Sequence, residues 1–215
     1  MRFATRRKLE AARRVLAFFH QAPAPNSAAA EAVAELARIL ESVRSVLERQ
    51  LQARQGAIAA RHDRHALRSR MQPRLNALTL LSYAVARQRS MPALRLQTIR
   101  PTTGNDQFIA RVRAALDQAD DHLELMLRYG LPATLLDSLR ADLALLEAAH
   151  GRVAGESVLA SAATETLDHL ADEAFNQIHH LEALVQLDPS VSRGRLAEWR
   201  QVRALDWAGK TAEAA

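Results

Sequence analysis

The stretch Ser27–Leu51, SAAAEAVAELARILESVRSVLERQL, places Val33, Leu36, Leu40, Val43, Leu47 and Leu51 at steps of three and four, with Ile58 continuing the series. Residues so spaced share one face of an α-helix. Asn26 or Ser27 stands where a side-chain oxygen can cap the first turn. The stretch predicts one long helix in the N-terminal half. Beyond Gly56 the pattern changes. The face that carried the stripe now carries Arg54, Arg61, His65 and Arg68, while Leu67, Met71, Leu75 and Leu78 lie about 120–140° round the wheel at 100° per residue. Two outcomes stay open: the chain breaks near Gly56, or the helix runs on and exposes that end, with Pro73 a second kink point.

Composition agrees with helix throughout. In 215 residues there are 7 Gly, 7 Pro and 4% aromatics, and alanine, leucine and arginine dominate. That mixture favours helix and leaves strands little to work with. A chain of this length buries a core without staples, so size forces no cofactor. Cysteine is absent, which excludes disulfides, thiolate metal sites and a cysteine nucleophile. The basic N-terminus resembles an export signal, but its uncharged run, Val15 to Phe19, is too short. No segment approaches the ~20 apolar residues that span a bilayer, and we expect a cytoplasmic protein.

Around the first stretch, Leu9, Ala12, Leu16 and Phe19 mark a first helix, closed by the prolines at 23 and 25. Ser90 to Gly104 has two prolines and a Thr-Thr-Gly turn and reads as a connection. Next come a helix with Phe108, Val112, Ala115, Ala119, Leu123 and Met126 ending at Gly130, and one with Leu135, Leu139, Leu143 and Leu146. Gly151 and Gly155 read as bracketing a turn before a helix to Leu187 that buries Leu159, Leu167, Ile178, Leu181 and Val185. A last helix carries Leu196, Trp199 and Leu205, followed by a disordered tail. The expectation is an all-α, elongated antiparallel helical bundle of about six helices. Its parts are a basic half 1–90, a connection 91–104, an acidic half 105–207 and a tail 208–215, or one domain throughout.

Three stretches, RKLEAARRVLAFF at 7–19, NDQFIARVRAALDQADDHLELMLRYGLPATLLDSL at 105–139 and LAEWRQVR at 196–203, resemble an uncharacterised group of bacterial all-helical proteins. The resemblance implies a helical bundle and assigns no activity, cofactor or catalytic residue.

Charge is unevenly placed. Residues 1–100 hold 19 Lys and Arg against 6 acids, and the remainder 10 against 18. Arg54, Arg61, Arg64, His65, Arg68, Arg70 and Arg74 form a basic surface that can meet a protein partner, a second copy of the chain or a phosphate backbone. These arginines can equally be solvated padding, or pair with acids of the second half such as Asp117, Asp120, Asp121 and Glu124. No aromatics interleave for base stacking. The basic first helix could lie on an anionic membrane, though docking on its own bundle is the commoner fate of such a helix.

The other cluster, DHLADEAFNQIHHLEAL at 168–184, is rich in histidine and carboxylate. His169 and His180 lie about 16 Å apart along a helix, too far to share one ion. A metal would need His169 and Glu173 with ligands from another helix, best supplied by Glu147 and His150 at the Glu-x-x-His spacing of carboxylate-bridged bundles. That motif occurs once where such bundles use it twice, and His169 with Glu173 is as readily a solvated i,i+4 pair. No nucleophile elbow or phosphate loop is present. The reading is a non-enzymatic binding or scaffold bundle without a cofactor. The alternatives are sequence-independent nucleic-acid binding through the arginines, then a metal-binding bundle.

Overall fold

Asn26 accepts a hydrogen bond from the Ala29 amide at 2.8 Å through its side-chain oxygen, and from that cap α2 runs unbroken over Ser27–Gln88. The structure, a computed structural model, describes residues 2–21 and 24–204. In chain order they form α1 Phe3–Gln21, α2, a 3₁₀ turn Pro92–Leu94, α3 Asn105–Asp120, α4 Leu123–Arg128, α5 Ala133–Leu187 and α6 Arg193–Arg203. No strand occurs among the described residues, so the class is all-α.

Neither Gly56 nor Pro73 interrupts α2. Its buried positions include Leu36, Ile39, Val43, Val46, Gln50, Ala53, Ala57 and Ala60, then Met71, Leu75 and Leu78. Those from Leu36 to Ala60 alternate steps of three and four, a period of 3.5. A face with that period drifts by about 20° per heptad against an ideal helix, roughly 100° over the five heptads from Leu36 to Met71. The change of phase seen past Gly56 is this drift. Alanines carry the seam through the middle, which is why a stripe traced on large residues went astray. Leu51 and Ile58, expected in the stripe, are exposed.

Two expected breaks move. Gly151 and Gly155 lie inside α5 rather than at a turn, and Leu159 is exposed rather than buried. Gly130 is the one glycine with positive φ among the described residues, so neither helical glycine needs its special freedom. Each costs a helix about 1 kcal/mol relative to alanine, little against the packing of a helix this long. A Cβ added at either position meets nothing within 4 Å. The double variant Gly151→Ala, Gly155→Ala is therefore expected to gain about 1–2 kcal/mol in stability, read as a higher melting temperature. A lower one would point back to a turn. Conversely, the helix expected from Phe108 to Met126 is two: α3 ends at Asp120, and α4 starts after His122, whose φ of −126° and ψ of 22° are not helical.

The chain forms two compact units, residues 1–53 with 158–215, and residues 54–157. These are not the halves 1–90 and 105–207. Segment 91–104, read as a connection, belongs wholly to the second unit, where it buries Leu94, Leu96 and Ile99. The expected tail 208–215, with Leu205, lies outside the described residues.

The first unit gathers Val15, Phe19, Leu36, Ile178, Leu181 and Trp199 into a core fed by α1, α2, α5 and α6. A second cluster joins Leu9 to Val43, Val46 and Leu167. Gln50 donates to the Thr164 hydroxyl at 2.7 Å and Gln177 to the Ala32 carbonyl at 3.2 Å, so α2 and α5 run antiparallel here. The apolar face of α1 is buried in this core, and its polar side is tied down by Lys8 with Asp172 and by Arg2 with Asp168 at 3.3 Å. That is docking on its own bundle. No described helix is long and apolar enough to cross a membrane.

The second unit packs α3, α4 and the 91–104 segment on α2 and α5. Phe108, Val112, Met126, Leu136, Leu139 and Leu146 meet Met71, Leu75 and Leu78. Ser82, fully buried, accepts from the Leu96 amide at 3.2 Å and donates to the Thr79 carbonyl at 2.7 Å. Arg152 meets Asp63 at 3.0 Å, so the two long helices are antiparallel here also.

Candidate functional site

The second unit holds a cleft of about 650 Å³ between one face of α2 and the Pro101–Asn105 segment. At one end stand Arg61, Arg64, His65 and Arg68, and further along α2 come Ser69, Gln72, Pro73 and Asn76. Positions 61, 65, 68, 72 and 76 advance by three and four, so one helix stripe forms the wall. Among the described residues no carboxylate lines it.

Arg68 builds the site. Its Nη1 donates to Asn105 Oδ1 at 2.7 Å, and its Nη2 donates to the carbonyls of Pro101 at 2.9 Å and Thr103 at 2.7 Å. The guanidinium also lies over the Phe108 ring, 4.3 Å from its centre. It thus straps the loop to α2, so that Pro101 and Asn105 form the far wall. Burial, and then the charge of Arg64, hold the Arg68 guanidinium below its usual range.

Arg64 points the other way along its reach, with Nη1 3.4 Å from Nδ1 of His150. A guanidinium only donates, so Nδ1 is the acceptor in this contact, while Nε2 faces Asp106 Oδ1 at 2.9 Å. Arg61 and His65 are exposed and make no hydrogen bond or ion pair with another described residue. They are the uncommitted donors of the cleft. Gln72 spends its amide on the Ile99 carbonyl at 2.7 Å and on Asn76 Oδ1 at 3.0 Å, which leaves its own carbonyl and the Asn76 amide open. Pro73 has no N–H, so the Ser69 carbonyl, one helical turn back, lacks its usual donor.

Of the seven basic residues singled out above, four therefore meet in the cleft. Arg54 is exposed on α2 and does not line it. Arg70 and Arg74 serve the fold. Both hold Asp142, whose side chain is 8% exposed, Arg70 through two nitrogens and Arg74 at 2.9 Å. The acidic partner of these arginines is thus Asp142, not Asp117, Asp120, Asp121 or Glu124. Asp120 instead pairs with Arg140.

The metal candidates do not assemble. Glu147 pairs with Arg113 at 2.6 Å, His150 is held by Asp106 and Arg64, and His169 faces Glu173 at 3.4 Å as an exposed i,i+4 pair. No group of three or more His, Asp or Glu able to hold an ion stands among the described residues.

Sequence reasoning missed Ser69, Gln72 and Asn76, although they continue the Arg61–Arg68 spacing. It missed Pro101 and Asn105 because a proline-rich connection carries no period. Compared with family models, with curated proteins and with solved structures, the chain matches none.

Proposed function

We propose that the protein is a non-catalytic helical binding module whose cleft receives an acidic segment of a protein partner. One observation carries this reading: among the described residues, three guanidinium groups and an imidazole line a concave site with no carboxylate, and two of the four make no other hydrogen bond or ion pair. Like charges brought together on one helix face repel, and an incoming anion relieves that repulsion. Arginine suits the task because its planar fork grips a carboxylate or phosphate through two donors at once.

Nucleic-acid binding is the second reading, favoured by the same cations. Against it, Arg68, Arg70 and Arg74 are committed to the fold, so the arginine track along α2 contracts to a recess. No aromatic side chain of a described residue lines that recess for a base to stack on.

Fluorescence anisotropy of a labelled glutamate-rich peptide at low salt tests the first reading. Binding is expected, and Arg61→Glu with His65→Glu should weaken it at least tenfold with the helical signal unchanged. If wild type and variant give superimposable titrations, the cleft is not the binding surface. Oligonucleotide binding that falls steeply with salt, and is stronger than peptide binding, would move nucleic acid to first place.

A further inference from the structure

We propose that the occupant of the cleft is an extended phosphopeptide, with the phosphate dianion at the Arg61, Arg64, His65 end and the peptide backbone lying along Ser69 to Asn76. The inference rests on the cleft being the binding surface and names the chemistry of the partner.

Three features point the same way. The first is charge. The basic end presents three arginines with no acidic side chain of a described residue in the lining, an excess that one carboxylate leaves largely unbalanced and a phosphate monoester, at about −1.5 to −2 near neutral pH, balances better. Arg61 and His65 offer free donors, and Arg64 can turn from His150 because its contact there is long, at 3.4 Å. Arg68 stays in its strap and contributes field rather than a direct bond.

The second is length. From Arg61 to Asn76 the α2 wall runs about 22 Å at 1.5 Å per residue. That matches six or seven extended residues at about 3.3 Å each, and far exceeds a sugar phosphate.

The third is the kind of hydrogen bonding on offer beyond the basic end. The Gln72 carbonyl and the Ser69 carbonyl freed by Pro73 accept, and the Asn76 amide donates. A peptide backbone supplies both partners, an N–H and a C=O per residue. A single-stranded nucleic acid would ask instead for stacking surfaces along the wall, and none is there.

The test is fluorescence anisotropy of the full chain with labelled seven-residue peptides carrying phosphoserine near one end and randomised neighbours, beside matched sets with glutamate or serine in its place. The phosphoserine set should bind at least tenfold tighter than the glutamate set, and the serine set not measurably. Arg61→Ala and His65→Ala, both at exposed side chains without partners among the described residues, should each weaken phosphopeptide binding several-fold with unchanged melting temperature. Asn76→Ala should weaken the phosphoserine and glutamate sets alike.

Equal affinity for the phosphoserine and glutamate sets would overturn the dianion proposal and leave the binding reading standing. No binding by either set would overturn both. Glucose 6-phosphate competing as well as the phosphopeptide would overturn the peptide occupant, since phosphate alone would then account for the affinity. An oligonucleotide that displaces the phosphopeptide and binds more tightly would do the same in favour of nucleic acid.

Discussion

The double variant Arg70→Ala, Arg74→Ala is expected to lose about 3–5 kcal/mol of stability, read as a lower urea midpoint. Both guanidinium groups converge on Asp142, which is buried, while Arg70 and Arg74 themselves remain 51% and 39% exposed at the side chain. Removing the arginines leaves a carboxylate in a poorly solvated place without its counter-charges. Removing the acid instead leaves two cations that water already reaches. The effects are therefore unequal. Asp142→Leu alone should cost far less, and added to the double variant it should recover most of the loss, because a buried ion group can be replaced by an apolar side chain of similar size. If the double arginine variant melts like wild type, these two residues are surface cations after all, and they return to the list of partner contacts.

Trp199→Ala is expected to lose a similar amount, about 3–5 kcal/mol, as a cavity opens in the first unit. Trp199 is fully buried on α6 and packs against Phe18 and Phe19 of α1, with ring centres 6.0 and 5.6 Å away. Its indole N–H has no hydrogen-bond partner among the described residues. The side chain therefore stabilises by area and shape, not by a polar contact. Trp199→Phe, which keeps an aromatic ring and gives up an unsatisfied donor, should cost only about 1 kcal/mol. A phenylalanine variant as unstable as the alanine one would show that the indole N–H matters.

The phosphopeptide titration that tests the proposal offers an independent reading of both changes. Asp142, Arg70 and Arg74 lie outside the lining of the cleft, and Trp199 belongs to the other unit. Affinity changes there beyond those due to unfolded chain would mean that the cleft depends on more than its own wall.

The all-α class was legible from composition, and the long helix in the first half from the spacing of Leu36, Val43 and their neighbours. So was the basic character of positions 61 to 68. These are local properties: helix propensity and the i, i+3, i+4 geometry act within a few turns, and the sequence displays them directly. Charge is equally visible, because an arginine is charged wherever it stands.

What tertiary structure alone decided is where each helix turns its face and which charges are used up. A seam of period 3.5 built from alanines at 53, 57 and 60 leaves no trace in a search for large apolar residues, because small residues become core only when a neighbour lies close enough to cover them. Gly151 and Gly155 look like turn residues until a helix of fifty-five residues carries them through. The split of the basic residues into Arg70 and Arg74 for the fold, Arg68 for the loop, and Arg61 with His65 left without a partner among the described residues depends on Asp142 and on the carbonyls of Pro101 and Thr103. Those partners are distant in sequence, and a sequence holds no record of which charge will meet which until the chain has packed.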